Sequence, residues 1–591
     1  ASLLGPLAAA GGEAAPAAPY PPALQGLRGN HEGSYTYPHQ LRDGQFALAD
    51  ASARDTGERY DLVVVGAGIS GLSAAHYYQR RFGARSRILL LDNHDDFGGH
   101  ARRNEFTVDG RKVLAYGGVQ NIDNPGSYSA VAMGLLRELG IRVETLPRNY
   151  NAQLYVGLGT GCFFDAATFG SDRMVAGMGT RPWPSFLADA PLTERQRADI
   201  ARLYGERRNY LPGLDRAAIT ALLAKTSYAS YLTDHCGVDA ATLAFFQSYT
   251  HDLFGVGIDA VSALTCQRNP DDYESFTYPG FDGLDLEPPE KEAYVYHFPD
   301  GNATIVRLLV RGLIPEAIPS AGVAGIVTAQ ARYDRLDREG ARVRLRLSSP
   351  VARVKSGPEG VHVDYVAGGS ELRAVQARHC VLACNHGMIP YLCPELPAGQ
   401  QEALHYGVKA PFLYTRVALR NWRAFANLGV RQVVAPGSYH CHTALDMPVS
   451  IGGYRFAHGP DDPMVLFMLR APCAPGLPMR DQYRAGRAEL LATPYAEIES
   501  KVRDQLQRML AGGGFDAARD IAGITVNRWA HGYAYEYESL WDPAWPPGQA
   551  PNQIARRPHG AIAIANADAA ARAYTDAAID EAHRAVGELP G

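Results

Sequence analysis

Asp61–Ala75 reads Asp-Leu-Val-Val-Val-Gly-Ala-Gly-Ile-Ser-Gly-Leu-Ser-Ala-Ala, and no other stretch restricts the fold so tightly. Leu62–Val65 is too short an apolar run for a buried helix and suits a buried parallel strand. Gly66 permits the tight turn that leaves it. Gly68 lets the backbone approach a pyrophosphate, and Gly71 lets the next helix pack closely on the sheet. The first-turn N–H groups of that helix face the phosphates, and its dipole favours their negative charge. Ile88–Leu91 is the next strand. Asp92 closes it about 20 residues past the last glycine, where a ribose-binding carboxylate belongs. A glycine fingerprint alone is weak. Framed by strand, helix and acid, it specifies a dinucleotide site, shared by NAD and FAD proteins.

The chain has 591 residues, too many for one hydrophobic core. A net charge of −5 gives no electrostatic footprint for nucleic acid and tolerates a cationic small molecule. No apolar stretch approaches the roughly 18 residues of a membrane span. Ala1–Ala10 is small and apolar, and an Ala/Pro-rich stretch follows. It reads as the tail of a secretory leader, so export to a bacterial periplasm is expected; a plain Ala/Pro leader is the alternative. The eight cysteines form no Cys-x-x-Cys pair, which excludes a c-type haem attachment motif and leaves disulfides open.

Nucleotide-type segments recur along the chain. Tyr116-Gly117-Gly118-Val119-Gln120 is a second strand-to-loop turn. Ser349–Val354 and Val361–Tyr365 alternate as antiparallel strands, and His379–Ala383 reads as a buried strand. Gly560–Asn566 is a strand, followed by a helix over Ala567–Val586. Helical patterns (Tyr128–Leu139, Leu192–Tyr204, Ala240–His251, Glu499–Leu510) and an alternating run, Leu413–Leu419, intervene. The predicted fold class is α/β, a discontinuous Rossmann-like FAD-binding domain with an interleaved α+β substrate domain. Its boundaries are an arm at 1–57, the FAD-binding domain at 58–130, 290–395 and 520–591, and the substrate domain at 131–289 and 396–519. Ligand pockets favour such interfaces.

Gly98-Gly99 lies where a glycine pair lets the chain pass close to a pyrophosphate and ribityl. It resembles the second fingerprint of the FAD enzymes that include the monoamine and polyamine oxidases. Most of those carry arginine where this chain has His100; Arg102 and Arg103 are the candidates to replace its charge. The whole chain from about residue 25 resembles the bacterial spermidine dehydrogenases, a flavin-dependent branch of the amine oxidase superfamily. The residues that carry this are Leu27–Tyr35, Leu91–Ala101, Tyr296–Thr304, Thr525–Tyr533 and Ile562–Asp568.

The resemblance implies FAD-dependent oxidation of a polyamine C–N bond to an imine, which water splits to an amine and an aminoaldehyde. It implies an external acceptor, a cytochrome or quinone, and in some relatives a b-type haem. Gly66, Gly68, Gly71, Asp92, Gly98, Gly99, His100 and Arg103 then hold the cofactor. Gly117 and Gly118 pass near the isoalloxazine, with Gln120 near the reacting edge. Val351, with Val354, lies at the adenine, and Asp568 at the ribityl. Each has a plain alternative: turn, core or cap. Many relatives place a lysine near flavin N5. The register puts Tyr391 there with no lysine nearby, which argues for a non-oxygen acceptor. His31 and His39 are the candidate haem ligands, with His235 and His251 behind them.

Trp529–Trp541 is the densest mixture of aromatics and acids. As a strand it would put Tyr533, Tyr535 and Tyr537 on one face. Aromatic faces attract ammonium groups, and Glu536 or Glu538 could hold a distal nitrogen. Asp282, Asp285, Glu287 and Glu290 form a second acidic stretch that reads more readily as a solvated loop. Two other classes stay open: another FAD oxidoreductase of the superfamily, acting on an amino acid or a polyene, and a non-catalytic FAD-containing polyamine-binding protein.

Overall fold

The computed structural model describes residues 19–49, 51–269, 277–287 and 292–591. Two sheets organise them. The first has the order β8 (Val343–Arg346), β3 (Ile88–Leu91), β2 (Arg54–Val65), β11 (Glu371–Leu382), β10 (Gly360–Ala367), β9 (Val351–Gly357), with β17 (Ile562–Ile564) also on β11. Strands β8, β3, β2, β11 and β17 run parallel; β9 and β10 are antiparallel additions. Leu62–Val64 and Ile88–Leu90 are fully buried, as a parallel sheet covered on both faces requires. Helix α2 (Ile69–Phe82) follows β2 directly and packs on the C-terminal helix Thr575–Glu588 and on Ala303–Leu313. This is the expected α/β fold with a Rossmann-like unit.

The second sheet has the order β1 (Gly26–Gly29), β16 (Ile521–Tyr533), β12 (Ala410–Leu419), β15 (Met464–Arg470), β14 (His442–Leu445), β13 (Val430–Val434), β6 (Gly159–Phe164), β7 (Arg173–Met178). A hairpin, β4 (Arg103–Val108) and β5 (Arg111–Tyr116), leads from the glycine pair to the second glycine turn. The sheets divide the chain at different points from the expected boundaries. The piece 520–591 gives β16 to the second sheet and β17 to the first. The arm gives β1 to the second sheet, and its helix α1 (Glu32–Arg42) contacts β9 of the first.

Several expected elements change on folding. Leu413–Leu419 does not alternate in burial, because every residue of β12 is buried between β16 and β15. Ala240–His251 breaks into short turns. The helix expected over Ala567–Val586 is interrupted at Ala571 (φ +52°) and restarts at Thr575. Strand β16 ends at Tyr533, so the following tyrosines do not share a face. There Asp542 gathers the chain, accepting from the Tyr535 hydroxyl (2.9 Å), the Tyr406 hydroxyl (2.6 Å) and the Glu538 amide (3.0 Å). All eight cysteines are free thiols. Among the described residues, no helix is long and apolar enough to cross a membrane.

Candidate active site

One cavity of about 1020 Å³ runs between the sheets, at the upper end of the size range of small-molecule sites. Gly66, Gly68, Asp92, Gly98, Gly99, His100 and Val351 line one end. Gly66 has φ +106°, and a Cβ there would meet the Ala383 carbonyl at 2.6 Å. A Cβ on Gly71 would lie 1.9 Å from the Gly66 carbonyl, so this glycine permits helix–turn packing and does not itself face the cavity. The glycine pair crosses directly over the turn: Gly98 bridges Gly68, and its amide donates to the Ala67 carbonyl at 2.9 Å. A Cβ on Gly68 has nothing nearer than 3.8 Å, so it would extend into cavity space. That open cradle at a helix N-terminus fits a dinucleotide diphosphate.

Asp92 accepts from the amides of Ala67 (2.7 Å) and His94 (2.8 Å). Burial works against its charge, but the His94 and Ala67 donors outweigh it and hold the carboxyl below its usual range. Val354, by contrast, stays in the core of its sheet and does not line the cavity.

The middle of the cavity is formed by His100, Gly118, Lys409 and Trp529. A Cβ on Gly118 would meet the His100 carbonyl at 2.1 Å, so the second glycine turn lies flat against the first. Gly117 does not face the cavity; its carbonyl accepts from the Trp529 indole at 2.7 Å. Burial, followed by the Lys409 charge, pushes the His100 imidazole down to about 3. It is neutral and cannot supply an arginine's charge. Arg103 does not replace it either. It lies away from the cavity, held by Asp300 (2.9 Å) and Glu105 (3.1 Å), because β4 turns its side chain into that acidic pair. Arg102 is buried beside Asp95 and Asp96, 5.8 Å from the Trp529 ring, and also does not line the cavity.

A lysine, Lys409, stands in the cavity, where the sequence reading placed none. It lines the cavity and pairs with Asp568, which also accepts from the His386 amide (3.1 Å). Burial opposes the Asp568 charge, and Lys409 and His386 outweigh it, keeping the carboxyl low. Asp568 therefore anchors the lysine and does not itself line the cavity. Tyr391 lines the cavity but faces His405. Only a strand-pairing register could place Lys409: β12 begins at the next residue, Ala410, opposite Tyr533.

The far end combines rings and acids. Gln120 accepts from the Tyr294 hydroxyl at 3.0 Å. Tyr533 shares a hydrogen bond with Tyr414, and the Phe412 ring lies 4.5 Å from it. Phe467 packs edge-on to Tyr414 at 5.0 Å. Glu536 accepts from the Ala573 amide at 2.9 Å, and burial raises its pKa. Glu538 accepts from the Leu540 amide at 3.1 Å and is raised by burial too. Asp252 was not expected from the sequence. It lines the cavity close enough to add to the effect of burial in raising the hydroxyls of Tyr294, Tyr414 and Tyr533.

Of the expected amine cage, Tyr533, Glu536 and Glu538 line this cavity, and so does Gln120, which was expected near the reacting edge. Tyr535 faces Asp542 instead, because the strand has ended. Tyr537 reaches the rim and is exposed. Asp285 pairs with Arg207 at the surface (2.7 Å), and Asp282 and Glu287 lie off the cavity. Glu290 lies outside the described residues.

The arm histidines do not stand apart from the dinucleotide end. His31 caps α1 and meets Asp95 at 3.4 Å, while His39 lines the main cavity and stacks on Tyr35 at 4.7 Å. Of the reserve candidates, His251 meets the Cys473 thiol at 3.6 Å and His235 lies off the cavity.

Residues 64–139 match a family model described as an NAD(P)-binding Rossmann-like domain. No curated protein matches the chain. Among solved structures, a putrescine oxidase bound to putrescine superposes with a TM-score of 0.51 at 16% identity, covering 90% of this chain and 99% of that one. A cyclohexylamine oxidase from Brevibacterium oxydans gives 0.51 at 14% identity, covering 89% and 98%. At these identities the likeness establishes the fold.

Proposed function

We propose that this chain is an FAD-dependent oxidoreductase that oxidises a polyamine such as spermidine. The observation that carries this is the far end of the cavity. Asp252, Glu536 and Glu538 stand among tyrosine and phenylalanine rings, and the same space continues to the dinucleotide cradle. The fold shared with putrescine and cyclohexylamine oxidases supports it. The cradle fits FAD, with Gly68, Gly98 and Gly99 against the diphosphate, Asp92 at the ribose, Val351 at the adenine and Gly118 beside the ring. When bound, the flavin accepts the hydride released from the carbon beside the amine nitrogen.

The protein's part is to hold a polycation while leaving one nitrogen neutral. An alkylammonium has a pKa near that of lysine, so neutralising it at pH 7 costs about 4–5 kcal/mol. Burial lowers that cost by disfavouring the cation. Glu536 and Glu538 supply counter-charge to the distal nitrogens, and the rings add cation–π attraction. Near the middle, the Lys409–Asp568 pair and neutral His100 offer no free carboxylate to hold an ammonium. The reacting nitrogen therefore releases its ammonium proton to solvent as it enters; loss of hydride from the adjacent carbon gives an iminium, and water adds to that carbon to release the amine and the aminoaldehyde.

Electrons pass on to an external acceptor, a cytochrome or quinone by the sequence reading. With Lys409 in the cavity, the argument against oxygen no longer stands, and turnover in air beside turnover with a quinone decides between them. Export to the periplasm is part of the proposal and is tested by cell fractionation. Glu536→Gln should raise the KM for spermidine about tenfold, equal to one lost charge-assisted contact, with little change in kcat. Unchanged kinetics would remove Glu536 from the amine site.

A further inference from the structure

Two donors of the second sheet grip the second glycine turn. The Trp529 indole of β16 donates to the Gly117 carbonyl at 2.7 Å, and Arg416 Nε of β12 donates to the Tyr116 carbonyl at 2.7 Å. Trp529 lines the cavity. Arg416 does not; it is 0% exposed and stands behind the turn. Its Cζ lies 3.3 Å from the centre of the Tyr116 ring and 4.7 Å from that of the Phe467 ring. Phe467, directly opposite Arg416 on β15, lines the cavity. So does Tyr414, two residues earlier on β12 and therefore on the same face.

This guanidinium is poorly neutralised. Asp446 is its partner, but Oδ1 lies 3.8 Å from Nη1, too far for a hydrogen bond. Neither Nη of Arg416 nor Oδ2 of Asp446 has a hydrogen-bond partner among the described residues. Burial raises the Asp446 carboxyl against the opposing pull of Arg416, which weakens it as a counter-charge.

Such a pair does little for the fold. Without hydrogen bonds, the attraction of a buried ion pair does not repay its desolvation, and apolar residues of similar volume serve as well or better. Stacking between two rings offsets part of that cost. The place of the charge supplies its use. It lies against the turn whose Gly118 passes beside the flavin ring in the proposed complex. A charge-assisted hydrogen bond to Tyr116 fixes that turn, and a cation in a low-dielectric interior favours a nearby group that gains electrons.

We propose that Arg416 is a positioning residue for the redox step: it fixes the second glycine turn against the flavin ring and supplies positive potential behind it. This rests on the flavin reading above. The test measures FAD content, midpoint potential and spermidine kinetics of the purified holoprotein. Arg416→Met leaves Asp446 without its cation, so the same change combined with Asp446→Asn guards against misfolding. The double variant should retain one FAD per chain. Its midpoint potential should fall by about 30 mV, a tenfold change for a two-electron couple. Its kcat should fall about tenfold, with the KM for spermidine changed less than about twofold. Arg416→Lys, which keeps the charge, should keep the wild-type potential. An unchanged potential in a yellow double variant would overturn the proposal, and so would an equal fall in Arg416→Lys. A colourless wild type that takes up no FAD would overturn the flavin reading itself, and this proposal with it.

Discussion

Glu538 is only 2% exposed and carries a carboxyl raised by burial. Because its folded pKa lies above the unfolded one, its stabilising contribution is complete below the ordinary carboxylate pKa of about 4.3 and is lost as pH rises through the raised value. Glu538→Gln should therefore stabilise the amine-free protein at neutral pH by on the order of 1 kcal/mol. That gain should vanish below about pH 4, as read from urea midpoints across pH. The same variant should lose much of the stabilisation that spermidine gives the wild type. The kcat/KM for spermidine should fall on the acid side as Glu536 and Glu538 take up protons. A variant no more stable than wild type at pH 7 would mean that the buried carboxylate already has a full counter-charge.

Lys409 and Asp568 are 4% and 9% exposed. Breaking this buried pair by Lys409→Met should cost about 3–5 kcal/mol, while an apolar replacement of both should cost much less. A double-mutant cycle measures the difference, and additive losses would contradict the coupling. Neither their pairing nor Asp252 was legible in the sequence. Lys409 lies 159 residues from Asp568 along the chain, and only the meeting of two sheets joins them. Glu536 was legible because its acid sits within a local run of rings.

At the scale of elements, the β2–turn–α2 unit was readable from local pattern alone, since strand, glycine spacing and terminal acid lie within 32 residues of one another (61–92). The end of β16 was not. Alternation in Trp529–Trp541 continues past Tyr533, but Asp542 captures Tyr535 and turns the chain. The two glycines of the turn should separate folding from cofactor retention. Gly71→Ala drives a Cβ into the Gly66 carbonyl and should destabilise the fold by about 3 kcal/mol or more. Gly68→Val should leave the fold standing and abolish FAD retention, because its side chain enters the cradle. A yellow Gly68→Val protein would contradict the placement of the diphosphate, and an undisturbed Gly71→Ala would contradict the packing.

At the scale of the molecule, the chain crosses between two sheets several times, and the active cavity is what the crossings enclose. The sequence indicated a discontinuous nucleotide domain, since strand patterns recur at 58–130, 345–390 and 555–590. It could not show that the N-terminal arm closes the nucleotide end, because β1 pairs with a strand some 500 residues distant. Asn30, Ser34 and His39 of that arm line the cavity. The central claim is that a bound flavin and an acid-lined amine site share this one space. Anaerobic titration of the purified protein with spermidine tests it most directly. The account predicts a yellow protein whose oxidised-flavin absorbance is bleached at one equivalent of spermidine per chain. A colourless, folded protein that takes up no FAD when it is supplied, or a yellow one that stays oxidised with excess spermidine, would contradict it.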